Sequence, residues 1–205
     1  MIYGDIYQRW LSIGDVKSSV GYPLTDETGS GNYGGRYNDF TNGMIYWHAG
    51  TSWVHVGGLP DTITFPWNNG INMGDVTGSN TITISSNGNA HWVSHIHDDL
   101  AVEFNWQIGW ILVDADGTAI TLYQSGNVGP NWSGIPIFGG PTNDNNIDTT
   151  VNNAVIRDNW RAWVAWNYGY GSASTSIDWT DMFNEIVSVA KQVVPIVEGV
   201  IAVLA

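Results

Sequence analysis

A chain of 205 residues is long enough to bury the core of one good-sized domain or of two small ones. Six Lys and Arg stand against nineteen Asp and Glu, a formal charge of −13 with the basic residues scattered, so neither nucleic-acid binding nor attraction to an anionic membrane surface is expected. Twelve Trp and 13% aromatics exclude a disordered chain, and the lack of Cys excludes disulfides, thiolate metal sites and a cysteine nucleophile.

The opening MIYGDIYQRW has no basic start, apolar run or small-residue cleavage site, so no signal peptide is expected within it. Ile6, Trp10 and Ile13 recur at helical spacing behind Asp5, a candidate N-cap, and Gly14 can close the helix. Gly21-Tyr22-Pro23 marks a turn. From Tyr37 to Val56, aromatic and Gly residues alternate in the manner of short paired strands.

Taken in order, GDIYQRW, VGYPLTDE and GRYNDFTNGMIYWHAGTSWVHVGG resemble the LGFP repeat from Asp5 to Gly58. The shared elements are a short helix with its Trp, the named turn, a Phe-x-x-Gly-x-Ile-Tyr-Trp strand and a closing Val-x-Gly. The turn reads Val20-Gly21-Tyr22-Pro23 where the family reads Leu-Gly-Phe-Pro, a conservative departure. The resemblance covers the first quarter of the chain and implies an extracellular or cell-surface module that holds a protein to the cell wall. A single copy forgoes the avidity of tandem repeats. Tyr37, Tyr46, Trp47 and Trp53, with His48, are the candidate ligand contacts, because aromatic rings stack on the apolar face of a pyranose while neighbouring polar groups bond its hydroxyls. The competing reading gives these rings to the core of a unit that needs large residues to be stable at all.

From Leu59 onward the pattern changes to period two. Thr81 to Ser85 and Ala90 to His97 read as strands separated by Asn87-Gly88. Val102, Phe104, Trp106, Ile108, Trp110 and Leu112 then share one face, with Glu103, Asn105, Gln107 and Gly109 on the other, which predicts a long half-buried strand. Asp116-Gly117 turns it into Thr118 to Gln124. Gly126 to Asp148 reads as a loop, and Asn153 to Trp166 as a helix with Ile156, Trp160 and Trp163 on one face. From Trp179 two apolar stripes run to the C-terminus as one wide helical face, bent at Pro195. The predicted fold is mainly β with some α: a small LGFP-like α+β module (1–58), a Trp-rich antiparallel β-sandwich-like domain (59–177) and an amphipathic C-terminal helix (178–205).

His-x-His on a strand can chelate one ion, so His95 and His97 with Asp99 form a candidate metal site, and a hydrogen-bonded polar strand face is the alternative. His91 lies about 13 Å away along an extended strand and cannot share that ion. Asp144, Asn146 and Asp148 open like an acidic calcium loop, but Thr149 and Val155 stand where an EF-hand needs Gly and Glu; a calcium-stabilised loop and a plain Asx turn both remain. No cofactor is required by the sequence. Ser125-Gly126 and Ser133-Gly134 lack the first Gly of a nucleophile elbow, and no catalytic residue is assigned. Asn131-Trp132-Ser133 is a glycosylation sequon.

Ile186, Val189, Val193, Ile196 and Val200 have three readings: packing on the chain's own sheet, self-association into a homo-oligomer, or insertion into a membrane as an interfacial helix. Lys191, Gln192 and Glu198 disfavour a simple transmembrane span. The expected function is non-catalytic extracellular recognition of a glycan or cell-envelope polymer. Its rival is a secreted self-assembling or membrane-active, toxin-like protein acting through the C-terminal helix.

Overall fold

The computed structural model describes residues 1–30, 34–67, 70–74, 76–98, 104–128, 144–193 and 201–203. Helix α1 (Gly4–Ser12) lays Ile6 and Trp10 on Val20, Phe40 and Ile45. Asp5 sits in its first turn, and Tyr3 occupies the N-cap without a side-chain bond, so the predicted cap is two residues too late. The Trp10 indole donates to the Gly21 carbonyl at 3.0 Å, which ties the helix to the Gly-Tyr-Pro turn. Gly21 has φ +79°, and a Cβ there would overlap the Thr41 hydroxyl, so this position requires glycine. Strands β1 (Thr28–Ser30), β2 (Gly35–Phe40), β3 (Gly43–His48) and β4 (Thr51–Val56) form one antiparallel meander in that order.

The remaining strands build a sandwich. One sheet contains β5 (Thr62–Pro66), β6 (Ile71–Met73), β7 (Val76–Ser85), β8 (Asn89–Asp98) and β11 (Asp144–Asn152), in the order β11-β8-β7-β5 with β6 also on β7. The other contains β9 (Phe104–Asp114), β10 (Ala119–Val128), β12 (Asn167–Ser174) and β13 (Ile201–Val203), in the order β12-β9-β10-β13. All pairs are antiparallel except β10 with β13. Ile82, Ile84, Trp92 and Ile96 meet Trp106, Ile108, Trp110 and Leu112 in the core between the sheets. Asn80 is a buried polar residue among them, and its Oδ1 accepts from the indoles of Trp92 at 2.7 Å and Trp110 at 3.2 Å.

The period-two face of β9 points into this core as predicted. Its other face is not solvated along its second half, however, because Ile111 and Val113 are buried beneath a helix. That helix, α4 (Trp179–Val193), sets Met182 and Ile186 on Ile111, Val113 and Ala119, and Asp178 caps it by accepting from the N–H groups of Thr180 and Asp181. The predicted helix to 205 is shortened: Ile201–Val203 is a strand that pairs in parallel with Ala119–Thr121 at the edge of β10. Pro195 lies outside the described residues.

Two further expectations change. The predicted 126–148 loop is strand at both ends, with β10 running to Val128 and β11 starting at Asp144, while 129–143, including the sequon, lie outside the described residues. The predicted helix over 153–166 is two short ones, α2 (Ala154–Asp158) and α3 (Trp160–Ala165). They break at Asn159, whose side-chain amide turns inward toward Asp114 and Thr118.

Candidate functional site

The repeat and the sandwich meet at a buried polar junction. The hairpin turn after β9 offers Asp116, 4% exposed, whose Oδ1 accepts from the Tyr46 hydroxyl at 2.7 Å and lies 3.2 Å from His48 Nδ1. The Ser30 hydroxyl is 2.5 Å from that of Tyr46 and 3.4 Å from Asp116 Oδ2. Met44, Tyr46, Ala115 and Ala162 surround the group as one buried apolar cluster. Asp114, fully buried behind it, accepts from the backbone N–H groups of Asp116 and Thr118, both at 2.9 Å. The turn predicted at Asp114 to Gly117 is therefore also the socket for the repeat.

This junction uses the residues that the sequence assigns to ligand contact. Tyr46 is fully buried and His48 is 5% exposed, so neither can stack on a sugar. Tyr37 is half-buried under the Arg161 guanidinium, 4.2 Å from its ring centroid. Trp53 packs against Tyr46, with ring centroids 6.2 Å apart, and Trp47 packs against the α1 cluster. The core reading holds for Tyr46 and His48, and the other three rings are half-buried in packing. The physical reason is docking: a face that would be solvent-exposed on an isolated repeat is covered by α3 and the β9–β10 turn.

The electrostatics of the junction have a direction. Burial, and then the charge of Asp116, push the Asp114 carboxyl up to about 8, against the lowering effect of its N–H donors. The hydrogen bond to Asp116 raises the His48 imidazole above its ordinary value, against its own burial. Burial, followed by the Asp116 charge, holds the Tyr46 hydroxyl far above the usual tyrosine range, so it stays a donor. A folded-state value raised above the unfolded one gives stability that is complete below the unfolded value and is lost as pH rises through the folded one. For Asp114 that window runs from 3.8 to about 8, and for His48 it begins at 6.5. The urea midpoint should therefore fall as pH is raised from roughly 6 to roughly 9, with His48→Gln flattening part of the slope. A midpoint that rose over this range would contradict the assignment.

Where the repeat leaves solvent access, it forms an open cleft of about 460 Å³. Its walls are the β2–β3 turn (Asp39 to Gly43) and the chain leaving β4 (Val56 to Leu59), and Arg161 of α3 closes it from the sandwich side. Arg161 bonds Asp39 through both Nη2, at 3.0 Å, and Nε, at 3.5 Å. The Gly-Tyr-Pro turn adjoins this cleft, since Tyr22 N–H donates to the Thr41 hydroxyl and Thr41 N–H to the Tyr22 carbonyl. Tyr22 and Leu24 are 60% and 65% exposed there. Asn42 and Arg161 were not among the sequence candidates; the docking that brings Arg161 to Asp39 joins positions 122 residues apart.

The other candidates fall elsewhere. Asp144, Asn146 and Asp148 do not form a loop: they alternate along β11 and reach across to β8, where His97 Nδ1 lies 2.8 Å from Asp144, His95 Nδ1 2.9 Å from Asn146 and His91 Nε2 2.8 Å from Asp148. This is a cross-strand ladder of imidazoles on carboxylates and amide, which corrects the calcium-loop reading. Asp99 lies outside the described residues. Among the described residues no group of three or more His, Asp or Glu is placed to hold a metal ion. Of the helical stripe, Ile186 is 3% exposed on its own sheet, Val189 is half-buried, and Ile196 and Val200 lie outside the described residues, as does the Val193 side chain. Ile186 therefore packs on the chain's own sheet, the first of the three readings. Among the described residues no helix is long and apolar enough to cross a membrane.

No curated protein matches the chain. Among solved structures, a DUF1425 family member from Shewanella sp. pv-4 aligns with 67% of this chain and 93% of its own, at 9% identity and a TM-score of 0.27. A family model, the LGFP repeat, matches residues 20–62. The matched span takes in the Gly-Tyr-Pro turn and β1 to β4 and starts after α1, so its limits differ at both ends from the 5–58 read from the sequence. LGFP repeats are generally found in cell-surface proteins, and it is the LGFP repeat that residues 20–62 of this protein match.

Proposed function

We propose that the protein is a non-catalytic, surface-located binding protein that holds a glycan of the cell envelope in the cleft between its LGFP repeat and α3. The observation that carries this reading is the cleft itself: two turns of the repeat build it, and Arg161 completes it. The Asp39–Arg161 pair presents carboxylate acceptors beside guanidinium donors, a pattern that suits adjacent sugar hydroxyls. Exposed Thr41 and Asn42 add further hydrogen-bonding groups, and the exposed Tyr22 ring at the adjoining turn offers an apolar face. A chain of net charge −13 disfavours strongly anionic partners.

The test is retention on insoluble cell-wall polymer. Intact protein should be retained, and Asp39→Ala and Arg161→Ala should each weaken retention about tenfold, with the folded spectrum unchanged, because each removes a charged hydrogen-bonding partner of the ligand. Full retention of both variants would move the site away from this cleft. No retention of the intact protein would overturn the function.

A further inference from the structure

A second groove, of about 580 Å³, runs between β12 and α4 on the outer face of the sandwich. Strand β12 is built the opposite way from an ordinary half-buried strand, which turns its large side chains inward. Here the core-facing residues are glycines: a Cβ on Gly169 would meet Phe65 and Leu112, and one on Gly171 would meet Trp110 and Trp67. The large residues, Tyr168 and Tyr170, point outward with Ser172 and Ser174. They pair across the sheet with Val113, Ile111, Gly109 and Gln107 of β9. Helix α4 covers the first part of this face, and beyond it the small residues Ser172 and Ser174 leave the groove open. Tyr170 and the two serines line the strand side; Asp181, Asn184 and Glu185 line the helix side.

We propose that this groove is a second saccharide subsite, which takes a pyranose unit free of anionic substituents from the same polymer that the repeat holds. The proposal rests on the glycan-binding reading above. An aromatic ring beside a row of hydroxyl, amide and carboxylate groups matches a pyranose, which has an apolar face and a rim of hydroxyls. Among the described residues no Lys or Arg lines the groove, and its carboxylates repel uronic acids and phosphosugars while accepting from neutral hydroxyls or an ammonium substituent. Two subsites on one protein also supply, within a single chain, the avidity that one repeat lacks.

Calorimetry and saturation-transfer NMR on the full chain test this with three soluble probes: tetramers of N-acetylglucosamine, glucosamine and galacturonic acid. At least one of the first two should bind, and the uronic acid tetramer should bind at least about tenfold more weakly. Ser174→Gln, which fills the groove, and Asp181→Asn, which keeps its shape, should each weaken the tetramer about tenfold, while Arg161→Ala leaves measurable binding in the groove. Unchanged affinity in both groove variants, with binding abolished by Arg161→Ala, would overturn the subsite and leave the glycan-binding function standing. Equal binding of the uronic acid tetramer would overturn the ligand class. Retention on the insoluble polymer with no tetramer bound would overturn the subsite alone, and absence of both would overturn the two readings together.

Discussion

Replacing Asn80 with leucine is expected to lower the unfolding free energy by about 2 kcal/mol, since two buried donors lose their acceptor at about 1–3 kcal/mol each while removal of the unpartnered Asn80 Nδ2 offsets part of that loss. Asn80 is 2% exposed in an otherwise apolar row of β7, and its single carbonyl oxygen serves the indole N–H groups of Trp92 and Trp110, one from each sheet. The substitution is close in volume, so packing loss is small and the penalty comes from the orphaned indoles. Urea titration of the intact protein followed by tryptophan fluorescence measures it. A loss below about 1 kcal/mol would mean that the indoles find other acceptors, because unsatisfied buried donors cannot be that cheap. Trp110 also meets Trp67 edge-on, with centroids 5.5 Å apart, so its emission should report the rearrangement directly.

Asp116→Ala should release the repeat from the sandwich. The substitution removes at once the acceptor of the Tyr46 hydroxyl, the partner of His48 and a contact of Ser30, all inside a buried junction. Removing one member of such a buried pair costs about 3–5 kcal/mol, because the group left behind stays desolvated and unpaired. Asp116→Asn keeps an acceptor for Tyr46 and should lose less. Gly35→Ala approaches the same junction from the repeat side, since a Cβ there would overlap the Tyr46 hydroxyl and the Asp116 carboxylate. Limited proteolysis is the measurement: cleavage between β4 and β5, around Gly57 to Asp61, should accelerate in Asp116→Ala and Gly35→Ala. Equal cleavage rates in variant and parent would show that the apolar cluster of Met44, Tyr46, Ala115 and Ala162 holds the units together without the polar network.

These two sites show where the sequence is readable and where it is not. The order of the repeat's elements, the turns at Asn87-Gly88 and Asp116-Gly117, and the alternation through Trp106, Ile108, Trp110 and Leu112 are all local patterns, and each has its predicted place in the fold. Asn80 carries no such pattern, because its importance comes from two tryptophans 12 and 30 residues away. The strand β11 was hidden for a related reason. Asp, Asn and Thr read as turn formers, yet opposite the His row of β8 Asp144, Asn146 and Asp148 become acceptors along a strand.

By itself the sequence determined the LGFP repeat, the β-rich class and the start of the amphipathic C-terminal helix, since periodicity and turn chemistry act over a few residues. Only the tertiary structure decided which aromatic rings are surface and which are core. An aromatic alternating with polar residues looks the same whether its exposed face meets water or another domain. Docking buried Tyr46 and His48 against Asp116 and brought Arg161 to Asp39, so the proposed ligand site is the cleft at the edge of the repeat's sheet and not its middle.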